Sequence, residues 1–526
     1  MPETIHDART IWELLQRRAD VDPDLPFLYD GTGRSLTVGQ LRRRALDAAG
    51  NLAAAGVVEG TVVSWQLPTW IDTVALSLAL SRLGAVQNPI LHVYREREVR
   101  FVLDQLRSSL FVVPERFGRH DYAAMARGVS AELASPPEIL VLGEDLFEPS
   151  APPPPLPVAA PDRERPDISE PVRWIYYTSG TSSAPKGVRH TDGTLLAGGR
   201  ALALALGLGE GDVGSIAFPF THIAGPDYLV MMLMDGIPAV LLDAFRPAEA
   251  VEVFARHGVT VGGGSTAFYA AYLAEQRKRP GEVLIPSLRL LSGGGAPKPP
   301  EIFYEVLGEM GVRTVHGYAM TEVPMLAMGR PWDEDEQLAN TDGRAVAGAE
   351  LRVVDPEGNA CPVGVDGEVA VRGPMVCKGY VDEAQTAEAF DDEGWFRTGD
   401  VGHLRADGHL VITGRIKDII IRKGENVSAK EVEDLLYTHP QVGAVAVIGL
   451  PDSSTGERVC AVVEPSPGAE VLTFDELRRF CGEAGLMTQK IPEQLEIVER
   501  LPRNETLNKI LKEQLRRQFS APVSAP

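Results

Sequence analysis

Sulfur and positive charge are both scarce in this sequence. Four cysteines occur in 526 residues (Cys361, Cys377, Cys460 and Cys481), and no two of them form a CxxC pair. That argues against a disulfide framework or a structural zinc site, and reduced thiols in a cytoplasmic protein are expected. Lysine and arginine total 51 against 73 aspartates and glutamates, a formal net charge of −22. A nucleic-acid coat or an anionic membrane needs a basic face, so neither is an expected partner. Any anionic ligand must be held locally, by backbone N–H groups or a few cations. Long apolar runs are missing too: the most apolar windows, 73–80 and 228–234, are too short to span a bilayer. The start, MPETIHDARTIWELLQRRAD, has no basic stretch followed by an apolar core, so no signal peptide is expected.

What is present is a strand–helix rhythm in a chain long enough for two or three domains. SLTVGQLRRRALDAAGNLAAAG has a Thr37 start signal, helix formers and a Gly56 stop. TVVSWQL reads as a strand, WIDTVALSLALSRLG as a helix and SSLFVVP as another strand, which argues for parallel sheets flanked by helices. Nine prolines between positions 148 and 171 preclude a helix or central strand there. The stretch is either a linker or a surface loop, and the alternation that resumes after it favours a loop within one large domain. After Val346, apolar–polar alternation with turns at Asp355–Gly358 and Asp366–Gly367 predicts a small antiparallel β subdomain. Near Gly414 the texture changes again, and the remainder suits a small α+β domain of its own. The expected class is α/β: a large N-terminal domain over 1–416 and a small mobile domain over 417–526.

The run YTSGTSSAPKGV (177–188) is a phosphate-type loop without the Walker pattern GxxxxGK[ST]. Pro185 stands where the second glycine belongs, and Gly187 where the magnesium-binding hydroxyl belongs. The physics survives: Gly180 lets backbone N–H groups approach an anion, Thr178, Ser179, Thr181, Ser182 and Ser183 carry hydroxyls, and Lys186 brings a point charge. A plain Ser/Gly-rich surface loop is the competing reading, and it explains poorly a lysine and proline directly after a buried aromatic strand.

At this point the sequence resembles the adenylate-forming superfamily of acyl-CoA synthetases, adenylation domains and luciferases. FPFTHIAG (218–225), SGGGAP (292–297), GYAMTE (317–322), GWFRTGD (394–400), GRIKDIIIRKGENVS (414–428) and LPRNETLNKILK (501–512) follow in that family's order across essentially the whole chain. The resemblance implies a two-step reaction. A carboxylic acid attacks the α-phosphate of ATP to give an acyl-adenylate and pyrophosphate, and the thiol of coenzyme A then takes the acyl group.

By resemblance, Thr178, Ser179, Gly180, Thr181, Ser182 and Lys186 hold the β- and γ-phosphates, Thr321 contacts the α-phosphate, and Glu322 holds Mg²⁺. Gly295 and Ala296 flank adenine, Tyr318 stacks on it, and Asp400 with Arg415 binds the ribose. Lys509 is the expected adenylation lysine. Asn508 precedes it where the family pattern has glycine, and the segment is one residue longer; asparagine tolerates a left-handed turn better than most residues. Lys417 falls at the family's hinge, and Lys423, Gly424 and Glu425 on the thiol side. His222 is the expected gate residue at the acid site, with a hydrogen-bonded core histidine as the competing reading.

Gly263, Gly264, Met320 and Met325 are expected beside the acid, the glycines making room and the methionines offering adaptable apolar surface. No cation stands out there to pair with a second acid group, so a hydrophobic acid of medium size, linear or alicyclic, is expected. Two other functions stay open: an adenylation enzyme loading a carrier protein, and a non-catalytic nucleotide-binding protein. The motifs do not decide whether copies of the chain assemble.

Overall fold

The computed structural model describes residues 4–156, 170–178, 185–422, 425–452, 455–503 and 510–520. Local signals start and stop the helices as anticipated. Thr37 caps the helix Val38–Ala54, its side chain accepting from Gln40 N while the Gln40 side chain returns to the Thr37 backbone. The helix Ile71–Leu83 ends at Gly84, in the left-handed conformation at φ 68°.

Among the described residues, three sheets make up the main part of the large domain. The largest has six strands in the order Gly187–His190, Trp174–Tyr177, Val86–Pro89, Val62–Trp65, Leu110–Val113 and Glu138–Val141. Three of its strands, Val62–Trp65, Leu110–Val113 and Trp174–Tyr177, are mostly apolar and buried, as strands covered on both faces must be. The strands before and after the proline-rich stretch belong to this one sheet, so that stretch is an excursion from a single domain.

A five-stranded sheet runs Val261–Gly264, Leu290–Gly294, Arg313–Met320, Val323–Met328 and Arg344–Ala345, parallel for its first three strands. A four-stranded sheet joins Pro26–Asp30 and Ser35–Thr37 to Ala239–Leu241 and Gly214–Ile216. The antiparallel subdomain is a meander of Glu350–Val354, Gly367–Arg372, Phe396–Leu404 and Leu410–Arg415.

The chain then passes through the short turn Ile416–Asp418 into a second body. There the long hairpin of Val442–Asp452 and Gly456–Pro465 carries Ile420–Arg422 and Gln494–Ile497 along its Gly456–Pro465 edge, with helices Ala429–Tyr437, Phe474–Glu483 and Lys512–Phe519. The buried apolar clusters respect this division. Those of the large body end at Leu410, and those of the small one begin at Ile420. Polar contacts join the two, such as Ser428 Oγ donating to Thr413 O at 2.5 Å. Two cores connected by a turn and polar contacts can change their mutual orientation without exposing either interior. No helix among the described residues is long and apolar enough to cross a membrane.

Candidate active site

In open sheets of parallel strands, ligands bind beyond the carboxyl ends of the strands. Trp174–Tyr177 and Gly187–His190 pair as a hairpin with Tyr177 opposite Gly187, so the phosphate-type run is the loop at its tip. Thr178 N donates to Lys186 O at 3.0 Å and closes the loop's neck. The expected contacts Ser179, Gly180, Thr181 and Ser182 lie outside the described residues, as do Lys423, Gly424 and Lys509, and so does the side chain of Glu425.

A distant segment lines the hairpin's free edge. Lys378 N donates to Arg189 O at 2.8 Å, Arg189 N to Gly379 O at 2.9 Å, and Val381 N to Gly187 O at 2.7 Å. This pairing delivers Tyr380, whose hydroxyl donates to Glu322 Oε1 at 2.8 Å, while Lys186 Nζ sits 5.0 Å from the centre of its ring. Burial raises the Glu322 carboxyl above the usual range, against the Tyr380 hydrogen bond and the positive charges of Lys186 and Arg415. A further cation arriving there would stabilise the carboxylate.

Glu322 and Thr321 form the two-residue tip between Arg313–Met320 and Val323–Met328, where Met320 pairs with Val323. Both tip carbonyls are tied. Cys377 N donates to Glu322 O at 2.9 Å, and His190 Nε2 lies 2.8 Å from Thr321 O. A carbonyl only accepts, so Nε2 carries the proton. Burial pushes the His190 imidazole down to about 4, which leaves Nδ1 free to accept from Thr194 Oγ1 at 2.9 Å. His190 is therefore a neutral strut between the phosphate-loop hairpin and the Thr321–Glu322 tip.

Asp400, 2% exposed, stands directly opposite Arg415 in the subdomain meander. Arg415 Nε reaches its Oδ1 at 2.6 Å, and the Tyr318 hydroxyl donates to its Oδ2. Burial, then the Asp400 charge, raises the Tyr318 hydroxyl well above its ordinary range. Three expected nucleotide contacts thus come together in one closed network. Beside them the ends of three strands approach closely: a Cβ on Gly293 would lie 1.8 Å from Gly264 O, and one on Gly294 2.3 Å from Gly317 O. Gly295 follows at φ 79°, turning the chain through Ala296 across the strand ends. Only glycine permits both the approach and the turn.

His222 and Thr321 line one small cavity of about 20 Å³, together with Tyr94, Tyr176, Thr221 and Ile223. His222 Nδ1 accepts from Ala224 N at 3.3 Å, at the start of the helix Ala224–Asp235. Gly263, Gly264, Met320 and Met325 do not line this cavity. The expectation that the glycines leave room for a substrate is corrected here. A Cβ on Gly263 would meet Tyr228 at 3.0 Å and Phe218 at 3.2 Å, and one on Gly264 would meet Phe268 at 2.6 Å. The space is occupied by the protein's own rings. Met325 is buried and Met320 packs on the same core.

Lys417 is exposed in the turn Ile416–Asp418, between the last strand of the subdomain and the first of the small body. Its neighbour Asp418 is anchored to Arg516 at 2.6 Å. Sequence reasoning missed His190 and Tyr380. His190 carried the faint signal of a histidine closing a buried strand; Tyr380 had none, because its partners lie about 60 and 190 positions upstream in sequence.

Two family models match the chain: AMP-binding enzyme over residues 15–381 and AMP-binding enzyme C-terminal domain over 431–507. The medium-chain fatty-acid–CoA ligase of Escherichia coli is 32% identical, covering 96% of this chain and 89% of that one. A salicylyl-CoA synthase / salicylate adenylyltransferase from Streptomyces is 33% identical, covering 97% and 93%. Among solved structures, ATP-bound MatB from Rhodopseudomonas palustris superposes with a TM-score of 0.86 at 28% identity, covering 96% of this chain and 98% of that one.

Proposed function

Because the chain belongs to the AMP-binding enzyme family and is an ATP-dependent acid–CoA ligase, we propose how its residues divide the two half-reactions. The first forms a bond between a carboxylate oxygen and the α-phosphorus and breaks the bond to pyrophosphate. The second forms a thioester as the CoA sulfur displaces AMP. Both need positioning and charge neutralisation more than covalent help from the protein.

Lys186, with the hydroxyls and N–H groups of Thr178, Ser179, Gly180, Thr181 and Ser182, restrains the departing pyrophosphate. Thr321 meets the α-phosphate. Glu322 holds Mg²⁺, which supplies charge neutralisation at the phosphates when bound. A half-buried carboxylate suits that ion, which is usually held by one or two carboxylates plus substrate oxygens. Tyr380 aims Glu322, and His190 aims Thr321. Gly295, Ala296 and Tyr318 receive adenine; Asp400, sharing Arg415, receives the ribose hydroxyls. His222 faces the acid carboxylate. Lys509 neutralises the charge that develops between carboxylate and α-phosphate.

The small domain, from residue 417, turns about Lys417 between the half-reactions and brings Lys423, Gly424 and Glu425 to the thiol. The acid has an apolar body of medium size; the E. coli relative is named for medium-chain fatty acids and the Streptomyces one for salicylate. The four cysteines are unpaired, in keeping with a reducing cytoplasm.

The observation that carries this reading is the convergence of Lys186, Tyr380 and His190 on the Thr321–Glu322 tip. Its test is AMP release measured with ATP and Mg²⁺ over a panel of acids, with and without CoA. Sustained turnover should need both an acid and CoA and yield acyl-CoA. AMP release indifferent to CoA contradicts the proposal.

A further inference from the structure

The helix Lys512–Phe519 begins three residues after Lys509 and has only eight residues. A helix that short does not hold its own shape or direction in water, so tertiary contacts must set both. Leu515 is its one fully buried residue, seated in the cluster of Ile448, Leu450, Val462 and Leu501, with Phe519 partly buried beside it. This narrow apolar edge seats the helix, and two ion pairs one turn apart align it. Lys512 Nζ lies 2.7 Å from Glu433 Oε1, an atom that also accepts from Val447 N at 2.6 Å, so this end is tied to the sheet of the small body. Arg516 Nη2 donates to Asp418 Oδ1 at 2.6 Å. Asp418 ends the turn Ile416–Asp418 and directly follows Lys417, so this end is tied to the turn that joins the two bodies. The other acid near Arg516 is Glu513 at 3.6 Å, which belongs to the same helix and cannot orient it.

The flanks of Lys509 close on this base. Arg503 pairs with Ile510, and Leu511 N donates to Pro502 O at 2.8 Å. The direction of the helix is therefore passed to both ends of the segment that bears the lysine. We propose that Asp418 and Arg516 are positioning residues for adenylation: their ion pair fastens the hinge turn to the helix behind Lys509, so that turn and lysine move as one piece. The inference rests on the reading of Lys417 as hinge and Lys509 as adenylation lysine, and supplies the link between them. A partly exposed ion pair that only adds a little stability is the plain alternative. Placement matters here because a misplacement of about 1 Å can cost on the order of 10²-fold in rate.

The test uses the full-length enzyme with an acid chosen by CoA-dependent AMP release, and follows the half-reactions separately. One assay reads acid-dependent pyrophosphate release, the other thioester formation from pre-made acyl-adenylate. Arg516→Met should slow adenylation roughly tenfold through kcat, leave the KM for ATP unchanged and spare thioester formation. Asp418→Asn, which keeps the shape of the side chain, should do the same, and the double variant should be no slower than either alone. Arg516→Lys, which keeps a cation in reach, should retain most of the rate. In the Lys509→Ala background Arg516→Met should cost nothing more, because the lysine it places is gone. Arg517→Ala, on the largely exposed side of the same helix, should change neither half-reaction. Equal losses in the two half-reactions, or a further loss in the Lys509→Ala background, would make the pair a structural contact and overturn the proposal. So would full adenylation by both single variants, or an Arg516→Lys as slow as Arg516→Met. If Lys509→Ala itself leaves adenylation intact, the lysine assignment fails and this inference with it; if no acid yields acyl-CoA, the ligase reading fails first.

Discussion

The nucleotide end and the acid end of this site are built on opposite principles. At the nucleotide end polar groups are paired with one another: Tyr318 and Arg415 on Asp400, Tyr380 on Glu322, and His190 on the Thr321 backbone carbonyl. At the acid end the Tyr176 hydroxyl and Thr221 Oγ1, which line the cavity beside His222, are buried without a hydrogen-bond partner among the described residues. The paired end is organised in advance for charges common to every turnover, where preorganised dipoles are most effective. The other end leaves hydrogen-bonding capacity unused in the empty site, at some expense in stability.

Perturbing the paired end should therefore slow chemistry for every acid alike. The largest effects belong to the small domain. Lys509→Ala should slow adenylation roughly 10²–10³-fold, by analogy with losing one preorganised donor, and largely spare thioester formation from pre-made acyl-adenylate. Lys417→Pro should do the reverse, leaving pyrophosphate release and blocking acyl-CoA formation. Stopped-flow assay of each half-reaction checks both, and equal losses in the two halves would sink these assignments.

His190→Ala comes next. It leaves the Thr321 carbonyl unpaired in the interior, a loss of about 1–3 kcal/mol, or roughly tenfold or more in adenylation. His190→Gln, which restores an N–H donor, should recover most of it. Failure of Gln to rescue would make His190 a packing residue. Tyr380→Phe should raise the KM for MgATP several-fold with little change at saturation, because it loosens Glu322 without removing it; an unchanged KM would separate Tyr380 from the metal site.

The smallest effect is on stability. His190 is held neutral to about 4, below its ordinary value, so the unfolded chain takes up a proton first as pH falls. That contribution is fully present above about 6.5 and is lost as pH drops from about 6.5 towards 4. Denaturant titrations across this window should show a steeper loss in wild type than in His190→Gln, and identical slopes would exclude the imidazole.

Much of the fold was legible because its signals are local. Thr37 with Gln40 marks a helix start, Gly84 a stop, and the change of texture after Val346 an antiparallel meander. The motif residues could be named from sequence, but their partners could not. Asp400 faces Arg415 through strand register, and Tyr380 reaches Glu322 because residues 377–381 pair beside a hairpin nearly 190 positions earlier. Such pairings are non-local and leave no periodicity. The glycines at 263 and 264 misled for a related reason: a sequence shows where a side chain is missing, not that Tyr228, Phe218 and Phe268 fill the space.

The central claim is that the paired end completes acyl-adenylate formation before any thiol is engaged. Acid-dependent exchange of labelled pyrophosphate into ATP, measured without CoA, tests it most directly. The account predicts exchange that requires the acid and Mg²⁺, proceeds without CoA, and falls sharply in Lys509→Ala. Acyl-CoA formation by an enzyme that shows no exchange until CoA is added would contradict it.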